Sequence, residues 1–256
     1  MPQENPPHEH TDTDSPAWYE PWFGTKYYHL LYRHRNSDEA GILIDNLVRT
    51  LQLPPGSKTL DLPCGKGRHA LALHGHGMDV TAADLSEENI LYCKRFEAEG
   101  IRFLRHDMRD PLAIGYFDAV FNLFTSFGYF DREHENRRVV IAAAASLRKG
   151  GVYVLDFLNV TRALQHLVND EKLEIEGIRF HILRTAEDGK IVKRINVMDG
   201  DTEHTFREEV RILSCEVLES YLQNAGFQVE NILGDYSMNP FDVVNSPRII
   251  FIARKS

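Results

Sequence analysis

The stretch Leu60–Gly67 reads LDLPCGKG. An apolar run leading into an acid and then two glycines is a buried strand that stops in a tight bend. Gly65 and Gly67 allow a ligand to approach the main chain without meeting a Cβ. The helix that follows offers free N–H groups at its start. Asp61, at the strand end, repels a phosphate and attracts an ammonium. Two more acids stand at equivalent places. Asp84 ends a second strand about 17 residues beyond Gly67, near the spacing at which a carboxylate reaches a ribose diol. Asp107 ends a third strand, where it can accept a hydrogen bond from an exocyclic adenine amine while Met108 flanks the purine ring. An ammonium, a diol and an amino-purine, read off three successive strand ends, describe S-adenosylmethionine. NAD shares only the last two.

These acids need a scaffold that aligns strand ends. From Thr59 onward, strands and helices alternate. Strands are expected at 59–62, 78–84, 101–106, 116–123 and 152–157. Ser86 caps a helix with Glu87 and Glu88 in its first turn, where the helix dipole favours acids. Such alternation implies parallel pairing with right-handed crossovers, hence an α/β fold in which ligands bind beyond the carboxyl ends of the strands. After residue 170 the period changes to two, with turn signals at Glu187-Asp188-Gly189 and Asp199-Gly200-Asp201. That pattern is an antiparallel meander inserted after the fifth strand, and residues 171–213 are assigned to it. A helix from Ser214 to Gly226 and two final strands complete the chain.

The chain has 256 residues, 43% hydrophobic and 26% charged, enough for one domain with a sizeable core. Residues 1–17 are polar and expected to be a disordered tail. Residues 18–256 are read as a single domain. Its first part, 18–55, carries both tryptophans and is read as a helical lid. The formal net charge of −9 argues against a nucleic-acid partner and for a small molecule. No apolar run approaches the roughly 20 residues of a membrane helix, and the N-terminus lacks a secretory pattern. Three cysteines without a C-x-x-C pair fit a reduced, cytoplasmic protein. The pairs His8/His10 and His74/His76 lack further ligands at metal spacing, so no metal site is expected.

The motifs LDLPCGKG, VTAADLS (Val80–Ser86), RHDMRD (Arg105–Asp110), FDAVFNLFTSFGYF (Phe117–Phe130) and LRKGGVYVLDF (Leu147–Phe157) occur in this order. Together they resemble the class I S-adenosylmethionine-dependent methyltransferases. The meander, HDMRD and TSFGY are similar to the branch that methylates sugar amines and related small molecules. The resemblance implies a Rossmann-like seven-stranded sheet of order 3-2-1-4-5-7-6, strand 7 antiparallel. It also implies cofactor contacts from Asp61, Gly65, Gly67, Asp84, Leu85, Asp107, Met108 and Asn122, and a basic residue from the N-terminal segment on the cofactor carboxylate. Arg35 is the candidate for the last, with Arg33 the alternative. Two features depart from the family pattern. Pro63 stands where glycine or alanine is usual. Strand 4 ends in Asn122-Leu123 without the N/D-P-P-Y motif of enzymes that methylate adenine or glutamine, which points away from those acceptors.

Methyl transfer is an in-line displacement in which the protein mainly orients, excludes water and manages one proton. His34 and Tyr28, on the aromatic lid, are the catalytic candidates. His69, in the helix after the bend, is assigned to packing. N- and O-methylation both fit. An NAD(P)-dependent oxidoreductase and a non-catalytic cofactor-binding module are the alternatives, and Asp61 argues against the first.

Overall fold

The computed structural model describes residues 18–33 and 37–256. The expected tail, 1–17, and the candidates His34 and Arg35 lie outside the described residues. In chain order the elements are α1 (Tyr19–Trp22), α2 (Lys26–Leu31), α3 (Ser37–Leu51), β1 (Lys58–Asp61), α4 (Arg68–Gly75), β2 (Asp79–Asp84), α5 (Glu87–Lys94), β3 (Ile101–Arg105), β4 (Phe117–Asn122), α6 (Glu133–Ser146), β5 (Leu147–Leu158) and α7 (Val160–Gln165). There follow β6 (Asp170–Ile175), β7 (Ile178–Glu187), β8 (Lys190–Asp199), β9 (Thr202–Arg211), α8 (Cys215–Asn224), β10 (Phe227–Leu233) and β11 (Arg248–Lys255).

Seven strands form one sheet in the order β10-β11-β5-β4-β1-β2-β3. β1 to β5 pair in parallel, and β11 enters antiparallel between β5 and β10. This is the Rossmann-like methyltransferase order, with β11 as the seventh strand of the sheet. Both faces are covered because the central strands carry apolar residues at successive positions, which point to opposite faces. In β5, Tyr153 and Leu155 face one core with Val139, Val140 and Ala143 of α6 and Leu218 and Leu222 of α8. Val152 and Val154 face the other, with Leu43, Ile44 and Leu47 of α3 and Ala70 and Leu73 of α4. α3 therefore belongs to the helical layer on the sheet, and only residues 18–33 of the N-terminal segment lie elsewhere.

The insertion is a four-stranded antiparallel sheet, β6-β7-β8-β9. Two-residue turns set its register. Glu176-Gly177 and Asp188-Gly189 both have positive φ at each residue (54°, 78° and 50°, 72°), the twist that antiparallel hairpins require. Its inner face forms a third core in which Phe180, Ile182, Ile195 and Val197 pack on Trp22, Tyr27 and Leu31. Polar ties reinforce this. The Glu208 carboxylate accepts from Trp22 Nε1 at 2.7 Å and from the Tyr32 hydroxyl at 2.8 Å, and pairs with Lys193 at 2.8 Å. Asp199 accepts from Lys26 and Tyr27 at 2.7 and 3.0 Å. The aromatic segment is thus anchored to the insertion on one side.

Candidate functional site

The bend after β1 is built as a cradle. Leu62 N–H bonds to Phe121 O and Cys64 N–H to Ala83 O, at 2.9 and 2.8 Å, so the bend hangs between the ends of β4 and β2 despite Pro63. Gly67 has φ +79°, and a Cβ there would lie 2.9 Å from the Phe103 ring. Glycine at this position lets α4 start against β3. Gly65 has φ +53° with nothing within 4 Å of where a Cβ would stand. Its missing side chain faces open space, as a ligand-facing glycine should.

Asp61 is fully buried, and neither carboxylate oxygen has a hydrogen-bond partner. Burial, then the neighbouring Asp84 charge, push its carboxyl up to about 8, with the Ala70 backbone N–H and then Arg68 opposing. A buried carboxylate without a partner is costly unless something cationic completes it. Asp84 is engaged by the fold. Its oxygens accept from Gly65 N–H at 2.8 Å and from Ser86 N–H at 2.9 Å, and burial raises its carboxyl. It braces the bend and α5, and each oxygen keeps a lone pair that a diol can use. Leu85 follows it, half-buried.

Asp107 lies two residues beyond β3. Burial tends to raise its carboxyl, but Arg109 outweighs this and holds it below the ordinary range. Arg109 Nη2 donates to it at 2.6 Å and Arg109 Nη1 to Glu135 at 2.7 Å, with the guanidinium 4.7 Å above the Phe130 ring. Met108 is half-buried, with its sulfur 3.8 Å from Asn122 Nδ2. Asn122 Oδ1, at the end of β4, is buried without a partner. Asp61, Gly65, Asp84 and Asn122 thus converge at the carboxyl ends of β1, β2 and β4, with Leu85, Asp107 and Met108 on the flanking connections.

The loop after β4 carries a feature that sequence reasoning missed. Phe124 and Thr125 have φ of 65° and 60°, left-handed values that a branched Thr adopts rarely. Buried Asp156 of β5 holds them there. It accepts from Phe124 N–H at 2.8 Å, from Tyr236 Oη at 3.1 Å and from Arg248 Nε at 2.7 Å, while Arg248 Nη2 donates to Thr125 Oγ1 at 2.8 Å. Only the tertiary fold brings residues 124, 156, 236 and 248 together.

Residues 18–33 cover this region. A Cβ on Gly24 would meet the Glu88 carboxylate at 2.7 Å and Ser86 Oγ at 3.6 Å. Trp18 packs edge-on to Tyr129 at 5.2 Å and Tyr19 to Phe130 at 5.8 Å. Tyr28 sits inside the aromatic group, 5.1 Å from Phe23 and 5.2 Å from His29. Arg33 pairs with Glu176 of the insertion at 2.5 Å. His69 is buried, and burial, then Arg68, lowers its imidazole to about 3, which fits packing. A cavity of about 340 Å³ lined by residues 51–57, Asp118, Arg148 and Arg254 lies at the opposite end of the strands. There Asp118 accepts from the Lys58 backbone N–H and is paired with Arg148. Among the described residues, no group of three or more His, Cys, Asp or Glu could hold a metal, and no helix is long and apolar enough to cross a membrane.

Comparison with known proteins agrees with this geometry. Residues 59–151 match the family model described as a methyltransferase domain. Over those residues the chain is similar to that family. A dTDP-3-amino-3,4,6-trideoxy-alpha-D-glucopyranose N,N-dimethyltransferase of Streptomyces venezuelae is 31% identical over 131 residues, 50% of this chain and 54% of the relative. A glycine/sarcosine N-methyltransferase of Halorhodospira halochloris is 29% identical over 202 residues, 75% of this chain and 73% of the relative. The crystal structure of an S-adenosylmethionine-dependent methyltransferase from Clostridium acetobutylicum ATCC 824 superposes with a TM-score of 0.76 at 22% identity, covering 90% of this chain and 96% of that one, and shares the fold. S-adenosylmethionine is the cofactor this cleft fits. Unpartnered Asp61 suits its ammonium, and the open side of Gly65 gives it room.

Proposed function

We propose that the protein transfers the methyl group of S-adenosylmethionine to the amine of a small molecule. The observation that carries this reading is Asp61, a fully buried carboxylate with both oxygens unpartnered beside an open glycine bend. A dinucleotide's phosphates gain nothing from a carboxylate at that place; an amino-acid ammonium does. The two named relatives both act on amines by their names, which supports nitrogen as the acceptor atom.

When bound, the cofactor supplies an electrophilic methyl on a sulfonium. The chain's own work is to hold, orient and dry the site. Asp61 receives the ammonium. Asp84 receives the ribose diol while its existing bonds to Gly65 and Ser86 keep it aimed. Met108 and Leu85 flank the purine, and Asp107, fixed by Arg109, lies within the same connection. Asn122 Oδ1 is a free acceptor at the end of β4. Tyr28 and its aromatic neighbours close the cleft from water. Orientation of this kind supplies roughly 7–11 kcal/mol of barrier lowering. In this reading residues 18–33 and the insertion form the wall of the acceptor pocket.

Thermal unfolding with added ligands tests the reading. S-adenosylmethionine or S-adenosylhomocysteine at 100 times its dissociation constant should add about 2.7 kcal/mol. A rise in melting temperature with NAD and none with either sulfur nucleoside refutes it.

A further inference from the structure

Among the described residues, ten buried side-chain nitrogen and oxygen atoms lack a hydrogen-bond partner. Five of them belong to Asp61, Asn122, Trp18 and His29. The first two stand at the strand ends. The other two are ring nitrogens, Trp18 Nε1 and His29 Nε2, carried by the segment that covers those ends. Buried polar groups are normally paired, so unpaired ones at the strand ends and on the segment over them are candidates for a ligand's polar atoms.

The two rings are part of one aromatic group. Trp18 packs on Phe23 at 5.7 Å and on Tyr129 at 5.2 Å, Phe23 on Tyr28 at 5.1 Å, and Tyr28 on His29 at 5.2 Å. Tyr129 belongs to the loop after β4. At the other end, His29 lies close enough to Lys66, between Gly65 and Gly67, for the lysine charge to act on its ring. The group therefore runs from the loop after β4 to a histidine within electrostatic reach of the bend after β1. The two faces of α2 differ in their partners. Tyr27 and Leu31 pack into the insertion core, whereas His29 lies within electrostatic reach of Lys66 of the bend.

We propose that Trp18 and His29 are the polar contacts of the acceptor seat, and that they select a small molecule bearing an amine with an oxygen on a nearby carbon. The assignment rests on the methyltransferase reading above. Indole Nε1 can only donate, so its partner is an acceptor lone pair, and with the amine nitrogen's lone pair used in the transfer that leaves an oxygen: a hydroxyl, an ether or a carboxylate. Burial first, then Lys66, lowers the His29 imidazole to about 4, so the ring is neutral at working pH. With its proton on Nδ1, its Nε2 accepts a hydrogen bond from the amine N–H. The single lone pair of the uncharged amine, not used in that hydrogen bond, is then free to attack the methyl carbon. A nitrogen–carbon bond forms, and the carbon–sulfur bond breaks with its electron pair going to sulfur, which becomes a neutral thioether. The nitrogen carries the positive charge until one proton passes to water. The N–H···Nε2 bond strengthens as that charge grows, so it favours the transition state over the bound amine. The faces of Tyr28, Phe23 and Tyr129 favour the same developing cation.

The test uses the full chain and His29→Phe, Trp18→Phe and His29→Gln. The first two keep a ring and remove its nitrogen; the third restores an acceptor. S-adenosylhomocysteine affinity is measured by calorimetry, and methyl transfer from S-adenosylmethionine to 3-amino-3-deoxyglucose, glycine and sarcosine by mass spectrometry. The expected result is transfer by the parent to at least one amine and a loss of tenfold or more in kcat/KM for both Phe variants, carried mainly by kcat for His29→Phe. His29→Gln should recover part of it, with cofactor affinity within twofold of the parent throughout. Four outcomes overturn the assignment: no transfer by the parent to any of these amines, unchanged kcat/KM in the Phe variants, no recovery by His29→Gln, or equal loss of cofactor affinity, which makes these rings cofactor contacts. A parent that fails to bind S-adenosylhomocysteine refutes the methyltransferase reading itself, whereas binding without a response at His29 and Trp18 refutes only the seat.

Discussion

At the scale of single residues, Asp61 and Asp84 are both buried acids beside one bend, yet they do different work. Asp84 already accepts from two backbone N–H groups at 2.8 and 2.9 Å; near Asp61 the Ala70 N–H exerts a pull but forms no well-aligned hydrogen bond. The Asp61 carboxyl stays protonated up to about pH 8 in the folded chain, against about 3.9 for an unfolded aspartate. Between those values the unfolded state holds fewer protons, so this residue makes folding less favourable as pH rises. Asp61→Asn is therefore expected to melt higher than the parent at pH 8, by about 1–3 kcal/mol of stability, with the gap closing towards pH 4. Thermal melts across that range check the sign. The same variant should bind S-adenosylhomocysteine about 10- to 100-fold more weakly, since a charge-assisted hydrogen bond contributes about 1.5–3 kcal/mol. Its affinity for 5′-methylthioadenosine, which has no ammonium, should stay unchanged. Asp84→Ala behaves differently. It should weaken both ligands at least tenfold, because both carry the ribose diol, and should lower stability by about 1–3 kcal/mol by leaving Gly65 and Ser86 N–H unpaired. Calorimetry with the two ligands separates the two acids.

At the scale of elements, the loop after β4 is held against its own preference. Two consecutive left-handed residues cost about 1–3 kcal/mol each. They persist because β5 and β11 bring Asp156 and Arg248 to them with well-aligned bonds. Removing one partner of such a buried pair leaves the other charge uncompensated. Asp156→Ala should lose about 3–5 kcal/mol, read from the shift of a urea unfolding midpoint, whereas an exposed pair such as Arg137–Glu133 should contribute about 0.5 kcal/mol or less. A loss below 1 kcal/mol for Asp156→Ala would show that the loop conformation is self-supporting.

At the scale of the molecule, two sheets share one aromatic segment. Residues 18–33 pack on the insertion through Trp22, Tyr27 and Leu31 and reach the strand ends through Trp18, Gly24 and His29. Glu208 is the polar centre of that attachment. Burial tends to raise its carboxyl, but Lys193, Trp22 and Tyr32 hold it below the ordinary range. Glu208→Ala should loosen the segment without unfolding the larger sheet. Amide exchange in residues 18–33 and in β8 and β9 is expected to rise about tenfold or more, while β1, β4 and β5 keep their protection. Equal deprotection of the two sheets would show that they unfold as one unit.

Much of this was readable along the chain. The acids at Asp61, Asp84 and Asp107, the glycine bend and the period-two insertion are local signals, because strand ends, turns and alternation are set by near neighbours in sequence. The order of the seven strands followed from a resemblance carried by five motifs. Other features had no local signature. His29 stood beside Tyr28 in the same helical stretch, and its unpartnered Nε2 and the influence of Lys66 on its ring became visible only in the folded chain. Arg109 reaching Glu135, and Asp156 between Phe124 and Arg248, depend on contacts that span tens of residues or more. Sequence by itself determined which chemistry the strand ends can bind. Tertiary structure decided which of the lid's polar atoms are left without partners, because only packing removes water from a ring nitrogen and withholds a substitute.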